Sequence, residues 1–159
     1  MKRRQKGFSL IELLIVVAII LIIAAIAIPN LISARMSANE ASAVQSLRTI
    51  QSAETAYATT FPLVGYSTSL GNLSDGGTNP CTASTTQACL IDDVLASGTK
   101  AGYQITYVGD TTNTPSVGYT INADPIVRNS TGRRSFFTNY PGVIRYNNTI
   151  PATASDPAI

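Results

Sequence analysis

The sequence has no histidine and no tryptophan, and only two of its 159 residues are cysteine. Histidine is the side chain that most often moves protons in enzymes, and it is the usual partner of a serine or cysteine nucleophile. Without histidine, two cysteines also leave a zinc site short of ligands. The remaining residues show no catalytic, cofactor-binding or metal-binding pattern, so the sequence favours a protein that is not an enzyme.

Charged residues are scarce as well, at 13% of the chain. Lys2, Arg3, Arg4 and Lys6 hold four of the eleven basic residues, which leaves seven (11 − 4) against nine acidic residues in the whole chain. Those seven are scattered and form no basic helix face. We therefore expect no nucleic-acid partner.

The few acids outside the N-terminus offer little chemistry. Asp92 and Asp93 are adjacent, so on a helix they would point about 100° apart and could not act as a general acid–base pair. We expect them to face solvent near a helix start. Asp110 and Asp124 are interpreted as solvated turn residues rather than as calcium ligands.

A long apolar run dominates the N-terminus, KGFSLIELLIVVAIILIIAAIAIP at residues 6 to 29, with one acid, Glu12, near its start. Every residue from Leu13 to Ile28 is Leu, Ile, Val or Ala, and the whole run approaches the roughly twenty residues that span a bilayer. Because basic residues precede the run, its leader should stay in the cytoplasm and the body should cross the membrane.

Pattern alone leaves three interpretations of this segment open. It resembles a secretory signal peptide, with AIA at 25 to 27 as the cleavage site. It also fits a simple signal anchor that holds a periplasmic domain, and in both cases Glu12 is incidental. The third interpretation gives Glu12 a role, because a carboxylate in hydrocarbon is costly unless it finds a partner.

The residues KGFSLIELLIVVAII closely resemble the N-terminus of prepilin-like proteins, which are the type IV pilins and the pseudopilins of type II secretion systems. A short basic leader, residues 1–7, ends in Gly7; Phe8 follows, and Glu12 is fifth counted from Phe8. The resemblance implies cleavage between Gly7 and Phe8 and N-methylation of the new Phe8 amine. It also implies that Glu12 of a docked subunit meets the Phe8 amine of an entering subunit and fixes the register of assembly.

The partners follow from the same resemblance. It implies a filament of many copies with related minor pilins, a prepilin peptidase and methylase, an inner-membrane assembly platform with its ATPase, and lipid before assembly. The expected location is the bacterial inner membrane with a periplasmic body, then an extracellular pilus or a periplasmic pseudopilus.

Two alternatives to a type IV pilin are kept. One is a type II secretion pseudopilin, which we rank second because the cysteine pair favours a pilin and the sequence has no recognisable calcium loop. The other belongs to a different class, an anchored or secreted periplasmic binding or enzymatic domain.

Beyond the assembly helix, residues 8–29, we predict a globular domain at 30–159. Its first element is a continuation of the helix over 30–61, where neither Gly nor Pro occurs, and Pro29 is expected to kink the helix. One face of this second half carries apolar residues at three- and four-residue spacing, which makes it amphipathic and core-facing: Val44, Leu47, Ile50, Tyr57 and Phe61.

Residues 62–100 read as a long connecting loop, rich in Gly, Ser, Thr and Asn. Its two cysteines lie eight apart in CTASTTQAC. If the chain is exported, a Cys81–Cys89 disulfide is expected, and two free thiols or half a metal site are the alternatives. Later in this region, LIDDVLASG predicts one or two helical turns that end at Gly98.

Residues 101–150 read as an antiparallel sheet. Four short segments at 102–108, 117–123, 133–139 and 142–147 are rich in β-branched and aromatic residues and are separated by turn-formers. We predict a meander with one face on the amphipathic half of the helix, and a loosely held tail after 150. The predicted class is therefore α+β, and the order of elements resembles the pilin fold.

Overall fold

The computed structural model describes residues 9–77 and 80–159. The predicted cleavage and methylation sites, Gly7 and Phe8, lie outside the described residues. The chain divides into two compact units, the first ending at Arg35 and the second formed by Met36–Ile159.

The elements follow one another in the order of an α+β protein, which confirms the predicted class. A single long helix comes first, two short helices follow in the middle region, and the strands come last. They are α1 Leu10–Thr60, a 3-10 helix Leu70–Leu73, α2 Asp93–Ala96, β1 Thr99–Lys100, β2 Tyr103–Gly109, β3 Tyr119–Pro125, β4 Ser135–Asn139 and β5 Arg145–Asn147.

The strands form one five-stranded antiparallel meander in the order β1-β2-β3-β4-β5. The central pair, β2 and β3, is in register from Tyr103 opposite Pro125 to Gly109 opposite Tyr119. The turn between β4 and β5 closes with the Gly142 amide donating to the Asn139 carbonyl at 2.7 Å. Each predicted strand overlaps an observed one, whereas β1 was not predicted because two residues carry no periodicity.

The core of the second unit lies between α1 and one face of the sheet. Alternation along the strands puts Ile105, Ile121 and Phe136 on this face, where they join Leu47 and Ile50 of α1 in one buried cluster. The amphipathic stripe predicted on α1 is therefore confirmed as core-facing. Val44 and Phe61, at its margin, are only partly buried.

One acid fastens α1 to the start of β4. Glu40 accepts hydrogen bonds from the amides of Arg133 and Arg134 at 2.9 and 3.2 Å and from Arg134 Nε at 2.7 Å. Burial raises the pKa of Glu40, but these hydrogen bonds and the guanidinium outweigh it, so the pKa is lowered overall. The contact therefore stabilises the fold above the ordinary carboxyl pKa and weakens as the pH falls.

The cysteine loop is closed and held against the core. Cys81 and Cys89 form a disulfide with Cα atoms 6.1 Å apart, which confirms the predicted bond. Between them, Thr85 accepts a 2.6 Å hydrogen bond through its carbonyl from the hydroxyl of buried Tyr57. The loop is thus tied to α1 by a side chain as well as by the disulfide.

The expectation of a loosely held C-terminal tail is wrong. The Tyr146 amide donates to the Pro157 carbonyl and the Ile159 amide to the Ile144 carbonyl, both at 3.0 Å. Ala152 is 2% exposed, and its carbonyl accepts from Asn122 Nδ2 at 2.8 Å. The tail covers the open side of β5, because an edge strand otherwise leaves backbone groups unpaired.

Replacing Leu47, which is 0% exposed at the centre of this core, with alanine should destabilise the second unit by about 2–5 kcal/mol. The reason is the cavity left between α1 and the sheet. Thermal unfolding of the purified chain in detergent micelles, followed by circular dichroism, measures the change. Exposed Ser52 on the same helix provides the control, since Ser52→Ala should shift stability by less than about 0.5 kcal/mol.

Candidate functional site: the apolar N-terminal segment of α1

The candidate site is a surface rather than a pocket, formed by residues 10–32 of α1. Its large apolar side chains are all between 46% and 79% exposed, the extremes being Val17 and Leu10. A helix that is apolar all round is stable only where an apolar medium or other apolar helices surround it. This segment therefore needs a covering that the described residues do not supply.

Length and composition make α1 the one helix in the described part of the chain that qualifies as a membrane span, with a mean hydropathy of 3.3 in its most apolar window. The same segment carries several small residues, Ala18, Ala24, Ala25 and Ala27. Small side chains let helix backbones approach closely where there is no water between them. The segment is suited both to lipid and to packing against like helices.

Glu12 lies in the first turn of α1 and is exposed. Its Oε2 accepts a hydrogen bond from the Ser9 backbone amide at 3.1 Å. Ser9 directly precedes the helix, so this is the carboxylate half of a capping box, in which the acid three residues on satisfies an amide that has no partner in the helix. The sequence signal is S-x-x-E in SLIE, which was not among the predicted features.

The geometry gives Glu12 two favourable interactions within its own chain. It satisfies the Ser9 amide, and its negative charge lies at the positive end of the helix dipole, a contribution of about 0.3–1 kcal/mol. Its role in assembly register stays a prediction.

Helix α1 continues through Pro29, which lies inside it. A proline has no amide to donate to the carbonyl four residues earlier, so the hydrogen-bond ladder is interrupted at Ala25 without ending the helix. The kink expected at Pro29 stays a prediction.

Of the aspartates singled out in the sequence, Asp92 and Asp110 serve local structure. The expectation that Asp124 is a solvated turn residue is wrong, because it lies within β3, opposite Gln104, and its Oδ1 is buried. Asp92 caps α2 by accepting from the Leu95 amide at 2.6 Å and pairs with Lys100 at 3.0 Å. Asp110 accepts from the amide and hydroxyl of Thr112 at 2.8 and 2.6 Å, closing a turn. Within residues 9–77 and 80–159, no three acids, cysteines or histidines lie together as metal ligands would.

Comparison with known proteins places a recognised motif on this same segment. Residues 2–28 match the family described as the prokaryotic N-terminal methylation motif. The match covers Gly7, Phe8 and Glu12, and it confirms the predicted prepilin-type N-terminus.

Two curated relatives carry similar sequence. The chain is 66% identical over 38 residues to the type IV wide pilus major component PilA4 of Thermus thermophilus, a match covering 24% of this chain and 29% of that protein. It is 46% identical over 54 residues to the type IV major pilin protein PilA of Myxococcus xanthus, covering 34% and 24%. The chain thus spans about a quarter of the length of these relatives. No solved structure matches significantly.

A charge at the middle of the apolar segment should weaken its residence in the membrane. Ile19→Asp should cost about 2.5–3.5 kcal/mol of insertion free energy, because a carboxylate at the centre of a span has no water and no helix-end amide. Extraction of bacterial membranes with alkaline carbonate measures the effect: a larger fraction of the variant than of the wild type should appear in the supernatant. Ile19→Leu, which keeps the apolar volume, should be extracted like the wild type, and an Ile19→Asp variant extracted no more than Ile19→Leu would contradict the membrane assignment.

Proposed function

We propose that this chain is a structural subunit of a type IV pilus filament. It is made as a membrane-held precursor, its leader is removed before Phe8, the new amine is methylated, and the apolar segment of α1 then moves from lipid into a bundle of like segments. The chain contributes polymerising surface and no catalysis.

One observation carries this proposal: the methylation motif at residues 2–28 includes the start of α1, where the large apolar side chains are exposed on every side of the helix. A secretory signal peptide would be discarded after cleavage at AIA, and no reason would exist for the motif around Gly7. A simple anchor needs the apolar helix but not a cleavage motif around Gly7. Retention of the helix and its use in assembly account for the motif and the apolar helix together.

The proposed exchange of surroundings has a plain physical basis. In the bilayer, hydrocarbon covers the apolar side chains of residues 10–32; in the filament, the same segment of neighbouring copies covers them. The alanines at 18, 24, 25 and 27 allow close helix approach, which favours packing over contact with lipid tails.

Glu12 acts as the register device in this proposal. A carboxylate surrounded by apolar helices must be paired, because a buried charge left without its partner is strongly destabilising. The amine of Phe8 on an entering copy would supply a positive charge. Any other axial step would leave both charges unpaired, so the penalty for wrong registers selects the right one.

The partners and location belong to the same proposal. Leader removal requires a prepilin peptidase and methylase, and extraction from lipid requires an assembly platform with its ATPase in the inner membrane. Related minor pilins would share the filament. The second unit would face the periplasm before assembly and the outside of the pilus afterwards. Both relatives are named as pilins, so a pseudopilin role finds no separate support.

The mature N-terminus tests the proposal directly. Chain purified from its host should begin at Phe8 and carry one methyl group on that amine, because the motif directs cleavage after Gly7. Intact-mass and N-terminal peptide analysis measure this. A chain that begins at Ile28 would show that the apolar segment is discarded, and would end the filament proposal.

Glu12→Ala tests the register device. The variant should insert into membranes at least as well as the wild type, because it removes a charge from the edge of the span, and its filament yield should fall at least tenfold because the entering amine loses its partner. Sheared filaments quantified by electron microscopy and immunoblot provide the measurement. Ile11→Ala shortens the adjacent side chain without removing charge and should assemble. Wild-type yield from Glu12→Ala would refute the pairing.

A further inference from the structure

The second unit contains a buried acid that the proposed function does not use. Glu54, on the core side of α1, is 0% exposed. Across residues 9–77 and 80–159, the ion pairs involve Glu40 and Asp92, and no Lys or Arg nitrogen pairs with Glu54. A buried carboxylate without a cation needs hydrogen-bond donors or must take up a proton.

The partners of Glu54 come from two separate parts of the chain. Ser67, in the segment that leaves α1, donates to Oε2 through its amide at 3.0 Å and to Oε1 through its hydroxyl at 2.5 Å. Tyr107 of β2 donates to Oε1 through its hydroxyl at 2.6 Å. With Glu54 ionised, all three groups can donate to the carboxylate, but no cation among the described residues offsets its buried charge.

The same cluster also accommodates a proton. The Ser67 hydroxyl lies 3.1 Å from the Ser69 carbonyl, and the Tyr107 hydroxyl lies 2.8 Å from the Ser67 carbonyl. Each hydroxyl has one hydrogen, so it donates either to Glu54 or to its carbonyl. A proton on Oε1 can therefore donate to one of these hydroxyls, which turns to its carbonyl, while the Ser67 amide still donates to Oε2.

The surroundings determine which form the folded state prefers. The titratable groups that face Glu54 are tyrosines: Tyr57 on α1, Tyr66 on the connecting segment, Tyr107 on β2 and Tyr119 on β3. They are neutral at physiological pH and bring no positive charge. Burial raises the pKa of Glu54, and the hydrogen bonds from Ser67 and Tyr107 only partly oppose it.

We propose that Glu54 is a proton-operated latch for the connecting segment from Phe61 to Ser69. While Glu54 holds a proton on Oε1, the segment stays docked on α1. When the proton leaves, the buried negative charge favours an opened arrangement in which water reaches the carboxylate and Ser67 moves away. This coupling of pH to a surface segment goes beyond the proposed function and does not depend on it.

The direction of the effect follows from proton linkage. Glu54 binds its proton more tightly in the docked form of the segment than in the open form. The docked form therefore has its full stability below the ordinary carboxyl pKa of 4.5 and loses it as the pH rises through the raised pKa of Glu54. Within that window, the opening equilibrium should grow roughly tenfold per pH unit. Above the window, it should level off.

Hydrogen exchange measures this opening. The full-length chain in detergent micelles is exchanged at a series of pH values, and mass spectrometry follows peptides covering residues 61–69. After correction for the base-catalysed chemical rate, wild-type protection should fall roughly tenfold per pH unit above 4.5 and then level off. Wild-type protection that does not change with pH would overturn the latch.

Three variants assign the effect to Glu54. Glu54→Gln, a neutral side chain of the same shape, should make protection independent of pH, and a pH-dependent loss that persists in this variant would overturn the proposal. Tyr107→Phe removes one donor from the ionised form, so the loss should continue to higher pH than in the wild type. Tyr57→Phe removes a hydroxyl that bonds Thr85 instead, and its profile should match the wild type.

If Glu54→Gln does not fold, Tyr107→Phe alone tests the proposal. The carboxylate loses a hydrogen-bond donor in this variant, so the pH range over which protection falls must extend to a higher pH. A Tyr107→Phe window identical to that of the wild type would overturn the latch. Circular dichroism at each pH verifies that α1 and the sheet remain folded while the segment opens.

Discussion

The structure depends on one constraint: residues 10–32 of α1 cannot remain in water. Covering each of their large side chains is worth roughly 1.5–3 kcal/mol, and a helix surface whose single charge is Glu12 at its N-terminal end offers no polar face to offset exposure. The core of the second unit is built from Ala43 onward, so that unit has its own apolar interior. The N-terminal segment is thereby left for lipid or for other copies of the chain.

Lipid and neighbouring helices are almost equally apolar, so transfer between them gains little hydrophobic free energy. In the proposed filament, assembly would then draw on close packing at the alanines, on pairing of charges and on external work. This is why a filament built from such a segment needs a driving enzyme and a register device rather than a stickier surface. The position of Glu12 suits that role, because the Ser9 amide satisfies it only in part and leaves lone pairs for a second donor.

Sequence patterns predicted the features that arise from local repetition. The amphipathic stripe of α1, the four longer strands and the methylation motif are all periodic or contiguous, and they match the structure or the family comparison. Features that join distant residues were missed. The partners of Glu54 lie 13 and 53 residues away, and the tail reaches β5 only once the meander has formed. Nothing in a linear pattern distinguishes Glu54 from a solvated acid on the same helix.

Three glutamates on one helix show how neighbours decide what an acid does. Glu12 caps a helix end, Glu40 meets a guanidinium and two amides, and Glu54 meets only hydroxyls and one amide. The pKa of Glu40 is lowered and that of Glu54 is raised, so a falling pH weakens the first contact and a rising pH weakens the second. The second unit therefore has a pH window in which both hold. Below this window the Glu40 contact is lost and β4 loosens from α1. Above it the Glu54 contact is lost and the connecting segment is freed, so the two losses affect different parts of the unit.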